Sequence, residues 1–195
     1  MSPDRSFSLN GIDSDYVGLT YERLNPEDKR RLDNSILHAT IVQQDEPTED
    51  NSSVYMIFER LNTGGMMLRP QEIRACIYHG RFNELLKTLN NHPEWRQIFG
   101  KVHRRMRDQE LILRFFALYF DLDNYKAPMK DFLNKYMAKN RQLQVQSTEH
   151  CTNVFSEVIQ TVFQNLGDSA FKPYGLINAA AFDSVMIGIA KRLEK

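Results

Sequence analysis

Between Cys151 and Leu166, apolar side chains recur at Cys151, Val154, Phe155, Val158, Ile159, Val162, Phe163 and Leu166. Steps of three and four residues put them all on one face of an α-helix. Such a face is stable only when other elements cover it. The chain offers several similar stripes, at Val54, Ile57, Phe58 and Leu61; at Leu111, Ile112, Phe115, Phe116 and Tyr119; at Met129, Phe132, Leu133, Tyr136 and Met137; and at Phe182, Val185, Met186, Ile189, Ala190 and Leu193. The fold class these predict is mainly α, a helical bundle.

Local signals place the boundaries. Asn25-Pro26-Glu27-Asp28 opens a helix, with Asn as cap, Pro in the first turn and acids at the positive end. Pro70 opens another, which Gly80 closes. Phe82 to Asn91 forms the next, and Pro93 starts a turn around Trp95. A helix is expected from about Lys126. Gly167 stops the helix after Cys151, and Asn178 caps the last one. Only "SILHATIVQ", from Ser35, has the β-branched character of a strand, with "YVGLTYERL" as a candidate partner. A lone strand is not stable, so this small β element near the N-terminus suggests that part of a domain is missing.

The composition, 42% hydrophobic and 11% aromatic, is that of a globular chain. Cys76 and Cys151 are too few for a disulfide framework and read as free thiols. The first fifteen residues lack a signal-peptide core, so the expected location is cytoplasmic. "LILRFFALYF" is interrupted by Arg114 and falls short of the roughly 20 apolar residues of a membrane span. No membrane partner is expected.

Net charge is zero but unevenly spread. Residues 60–141 carry 16 Lys and Arg against 8 Asp and Glu, and the rest carry 9 against 17. A basic face for an anionic partner is one reading; mutual neutralisation of the two regions is the other. Within the basic region, "KVHRRMRDQELILR" clusters Lys101, Arg104, Arg105 and Arg107, which can contact phosphates without reading base sequence. Lys126, Lys130, Lys135, Lys139 and Arg141 follow, with Lys135 and Lys139 on one helix face.

The stretch "FERLNTGGMMLRPQEIRACIYHG" raises a second candidate. The N–H groups of Gly64 and Gly65, with the helix start at Pro70 and the cations Arg60 and Arg69, can cradle a phosphate. The plainer reading is a corner, one helix capped by glycine and the next opened by proline. The spacing fits neither a Walker loop nor a dinucleotide fingerprint. Glu72, in the first turn, pairs with the helix dipole. The five histidines share no ligand spacing with the cysteines, and no metal site is expected. His150 and Cys151 point to different sides of their helix, and no carboxylate pair stands out.

"IFERLNTGG…L…QEIR", Ile57 to Arg74, resembles the GmrSD restriction endonuclease N-terminal domain family, which is related to the ParB and sulfiredoxin fold. The likeness continues through "YHGRFNELL", "RRMRDQELILRFFALY", "MKDFLNKYM" and "NAAAFDSVM", covering most of the chain from about Phe7. It implies a partial ParB-like region over 1–80 and a helical extension over 81–195. It also implies nucleotide-dependent DNA processing, often in phage defence. On this resemblance Asn62, Gly64, Gly65, Gln71, Glu72 and Arg74 border a nucleotide or DNA cleft. The family's Asp-Gly-Gln-Gln-Arg motif is absent from this sequence, as is the His-Asn-His-type nuclease domain often found in the family. Where members commonly carry a small capping residue before the Pro70 position, this chain has Arg69.

The resulting expectation is a non-catalytic fragment or subunit that binds DNA, or a partner chain supplying the missing motif. It has no cofactor of its own, and a nucleotide enters only with the missing half. An independent nucleotide-dependent DNase or NTPase, and a purely structural helical module, are the alternatives.

Overall fold

The computed structural model describes residues 8–9, 14–36, 39, 41, 52–61 and 67–194. Contacts divide the chain into two units, 1–41 and 42–195.

In the first unit, α1 (Pro26–Asp33) begins as its sequence dictates: Asn25 Oδ1 accepts from Asp28 N at 2.8 Å, with Pro26 in the first turn. No α1 residue is buried. Leu9 N donates to Leu19 O at 2.9 Å and Gly18 N to Leu9 O at 2.7 Å, beside an isolated antiparallel bridge between Ser8 and Thr20. Among the described residues this bridge is all the β structure there is. The expected strand from Ser35 is not seen at Ser35, Ile36, Ala39 or Ile41, and its other positions lie outside the described residues. "YVGLTYERL" contributes the bridge at Thr20 and then a 3-10 turn, Tyr21–Arg23, in place of a strand.

The second unit holds α2 (Ser52–Leu61), α3 (Pro70–Ile77), α4 (Arg81–Leu89), α5 (Pro93–Phe99), α6 (Arg107–Asp121), α7 (Met129–Asn140), α8 (Thr148–Leu166) and α9 (Ala179–Leu193). Helix α6 is the centre, packed by α3, α4, α7 and α9, with α8 against α4, α5 and α9. Its central run, Leu111 to Tyr119, is buried except at Arg114, because helices cover it on several sides. Trp95, Phe115, Phe116, Phe155 and Phe182 are fully buried and meet at ring separations of 5.3–6.5 Å. Each such side chain contributes roughly 1.5–3 kcal/mol of burial energy.

The predicted caps hold where they were local. Asn178 Oδ1 accepts from Ala180 N and Ala181 N, and Gly167 ends α8 at φ 65°. Ser147, not anticipated, caps α8 by accepting from His150 N at 3.1 Å. Helix α7 starts at Met129 rather than near Lys126, because Pro128 disfavours helical backbone in Ala127. Gly80 follows the end of α3 but has a different task. Arg141 O accepts from Phe82 N at 3.1 Å, and a Cβ on Gly80 would stand 2.5 Å from that same oxygen.

Candidate functional site

The start of α3 is held by one carboxylate. Glu72 Oε2 accepts from Arg69 N at 2.6 Å and from Arg105 Nε at 2.8 Å. Arg105 Nη2 also donates to the Met67 carbonyl. Burial pushes the Glu72 carboxyl up, but the Arg69 N–H and the Arg105 guanidinium outweigh it and leave the group below its ordinary value. An anion thus already occupies this helix N-terminus, and it comes from the chain itself. Arg69 has no acceptor to cap with, so Glu72 reaching back does the capping. Asn62, Gly64 and Gly65 lie outside the described residues.

Gln71 and Arg74 face inward, each 1% exposed. Arg74 Nε donates to Gln71 Oε1 at 2.8 Å, Nη2 to Glu110 Oε2 at 2.6 Å, and Nη1 to Asn134 Oδ1 at 3.3 Å. One guanidinium therefore ties α3 to α6 and α7. Tyr55, on α2, is buried beside this cluster, with Lys130 Nζ 5.5 Å from its ring centre. Burial pushes its hydroxyl up to about 12, opposed by Arg74. The Tyr55 hydroxyl and Gln71 Nε2 have no hydrogen-bond partner among the described residues. Buried and paired, Arg74 is built to fix helices and is not laid open to solvent.

The basic segment before α6 is organised by Asp108, which is 0% exposed. Its Oδ2 accepts from Asn90 Nδ2 at 2.9 Å, His103 N at 3.0 Å and Arg96 Nη1 at 3.1 Å, while Oδ1 accepts from Gln109 N at 3.0 Å. Asn90 Oδ1 accepts in turn from Trp95 Nε1 at 3.0 Å and Arg96 Nη2 at 2.8 Å. Asn90, Trp95, Arg96 and Asp108 were missed from sequence. The available signal was an acid set among arginines at a helix start, which only burial distinguishes from a solvated one.

With its acids turned in, this segment turns its cations out. Lys101, Arg104 and Arg107 are exposed, and Arg105 is half-buried. Arg107 Nη2 donates to Ile177 O at 2.9 Å, anchoring the loop before α9. Lys101 and Arg104 make no ion pair or hydrogen bond with a described residue. Arg69 N and Arg105 Nε share Glu72 Oε2, which sets the Arg69 backbone beside this segment. Farther on, Lys130 pairs with Glu59 and Lys139 with Asp121, while Lys135 is exposed.

Among the described residues no three His, Cys, Asp or Glu side chains converge as metal ligands, and no helix is long and apolar enough to cross a membrane. Cys151 is buried with its thiol pushed up to about 11 by burial, whereas Cys76 is exposed. His150 is exposed while its neighbour Cys151 is buried, so the two do not form a nucleophile and base. No family model, no curated protein and no solved structure matches the chain.

Proposed function

We propose that this chain is a non-catalytic DNA-binding subunit or fragment of the GmrSD type, gripping phosphates through the edge that carries Lys101 and Arg104. The observation that supports it is the sorting of charge between residues 101 and 110. Asp108 is buried, the Glu110 carboxylate pairs with Arg74, and Lys101, Arg104 and Arg107 remain at the surface. Lys101 and Arg104, without partners among the described residues, raise the local potential and draw a polyanion without selecting sequence. Arg105 and Arg107 support the edge through Glu72, Met67 and Ile177, so their first task is to shape it. Affinity for DNA, duplex and single-stranded, titrated against salt tests the reading, and absence of binding to either at low salt sinks it.

A second reading, a partner chain carrying the Asp-Gly-Gln-Gln-Arg half, is favoured by α2. Met56, Ile57, Phe58 and Leu61 are all exposed on a helix whose buried aromatic is Tyr55, and Met67 is exposed beyond it. Exposed apolar residues grouped in this way mark an interaction surface. Co-purification with a protein bearing that motif tests this reading. A chain that stays alone when the two are co-expressed counts against it. Any nucleotide would come with that partner.

A further inference from the structure

The loop between residues 172 and 178 is pinned at both ends and bare at its tip. Phe171 is buried edge-on against Phe182, at a ring separation of 4.9 Å. Ile177 is also buried, and Asn178 N donates to Phe171 O at 2.8 Å, closing the loop's base. Gly175, at φ 84°, makes the turn, with its N–H on Lys172 O at 3.2 Å. Between these anchors Tyr174 is 93% exposed and Leu176 77% exposed. The next most exposed described aromatic, Tyr21, reaches 48%, so the Tyr174 ring is set apart by its presentation to solvent.

The loop's position gives the ring a use. Arg107 Nη2 holds Ile177 O at 2.9 Å, so the base of this loop meets the segment that carries Lys101 and Arg104. Tyr174 is three residues from Ile177, at most roughly 11 Å along the chain. Cations that hold a phosphate backbone beside an open aromatic face form a platform for an unpaired base. In a duplex the bases are already stacked on one another, and such a ring gains little from them.

We propose that Tyr174 is a base-stacking residue and that the preferred ligand of this edge is single-stranded nucleic acid. The proposal rests on the reading that the edge binds phosphate. The test is fluorescence anisotropy of the full chain with a labelled single strand of about 16 nucleotides and a duplex of equal length. Wild type, Tyr174→Phe, Tyr174→Ala and the double variant Lys101→Ala/Arg104→Ala are compared. The expected result is tighter binding of the single strand, retained by Tyr174→Phe and weakened about tenfold by Tyr174→Ala, with duplex binding unchanged by either. If Tyr174→Ala leaves single-strand affinity intact while the double variant weakens both ligands, the stacking proposal fails and the phosphate-binding reading stands. If wild type binds neither ligand at low salt, both fail and Tyr174 is left as a protein-facing side chain. Because the Tyr174, Lys101 and Arg104 side chains are all exposed, the variants should melt with wild type.

Discussion

Arg105 Nε lies 2.8 Å from Glu72 Oε2, joining the first turn of α3 to the segment that leads into α6. A carboxylate below its ordinary value of 4.5 stabilises the fold above that pH and loses its contribution as pH falls through the lower, folded value. Glu72→Gln should therefore cost about 1–2 kcal/mol at neutral pH, less than a fully buried pair because Glu72 retains some solvent contact. Urea melts of wild type and variant should converge as the pH falls below the ordinary carboxylate range and through the lower, folded value. A gap that stays constant with pH would mean that the charge of Glu72 is not what matters.

Arg74 and Glu110 form the more deeply buried pair, with the arginine 1% and the glutamate 31% exposed along their side chains. Removing only the acid leaves a guanidinium without its counter-charge. Glu110→Ala should cost about 3 kcal/mol, towards the low end for buried pairs because water reaches Glu110. Arg74→Met combined with Glu110→Leu should cost less than the sum of the single changes, since no charge is stranded. A double-mutant cycle by chemical denaturation measures this coupling, and strict additivity would argue against the pair.

Gly80→Ala should destabilise by about 1–3 kcal/mol, because the added methyl meets the Arg141 carbonyl, a backbone atom with little room to move. Its φ of 167° is ordinary extended backbone, so the cost comes from crowding and not from conformation. Thermal unfolding of the variant checks this. An unchanged melting temperature would show that α4 and α7 can separate freely at this point.

One thiol should react quickly with a disulfide reagent in the native protein and a second only after denaturation. Cys76 is exposed, while Cys151 is 1% exposed and its thiol is raised to about 11 by burial. Rapid native labelling of both would mean that α8 opens readily.

The parts of this structure legible in the sequence are those written locally. Asn25-Pro26, Pro70 and Asn178 each start a helix because their signals act within one turn, while Pro93, expected to start only a turn, opens α5. The stripe from Cys151 lies inward at Cys151, Phe155, Val158, Ile159 and Val162 but is exposed at Leu166, and the stripe expected on α2 is exposed at Ile57, Phe58 and Leu61. The direction in which charged residues face was not legible. Arg74 finds Glu110 thirty-six residues on, and Arg114 finds Asp183 sixty-nine residues on. Neither spacing is a helical period. Lys101, Arg104, Arg105 and Arg107 read as one basic cluster, yet two of the four hold the chain's own carboxylate and carbonyl groups. Gly80 reads as a helix stop, and its tighter constraint is hidden for the same reason: it comes from Arg141, distant in sequence.

The most direct test of the account is the salt dependence of duplex DNA affinity for the full chain and for Lys101→Ala/Arg104→Ala, by fluorescence anisotropy. If these side chains grip phosphates, wild-type affinity should fall steeply between low and physiological salt. The double variant should bind more weakly, with a log–log slope shallower by about 2. Absence of wild-type binding to duplex and single strand alike at low salt, or a slope unchanged in the variant, would contradict the assignment of this edge to a polyanion.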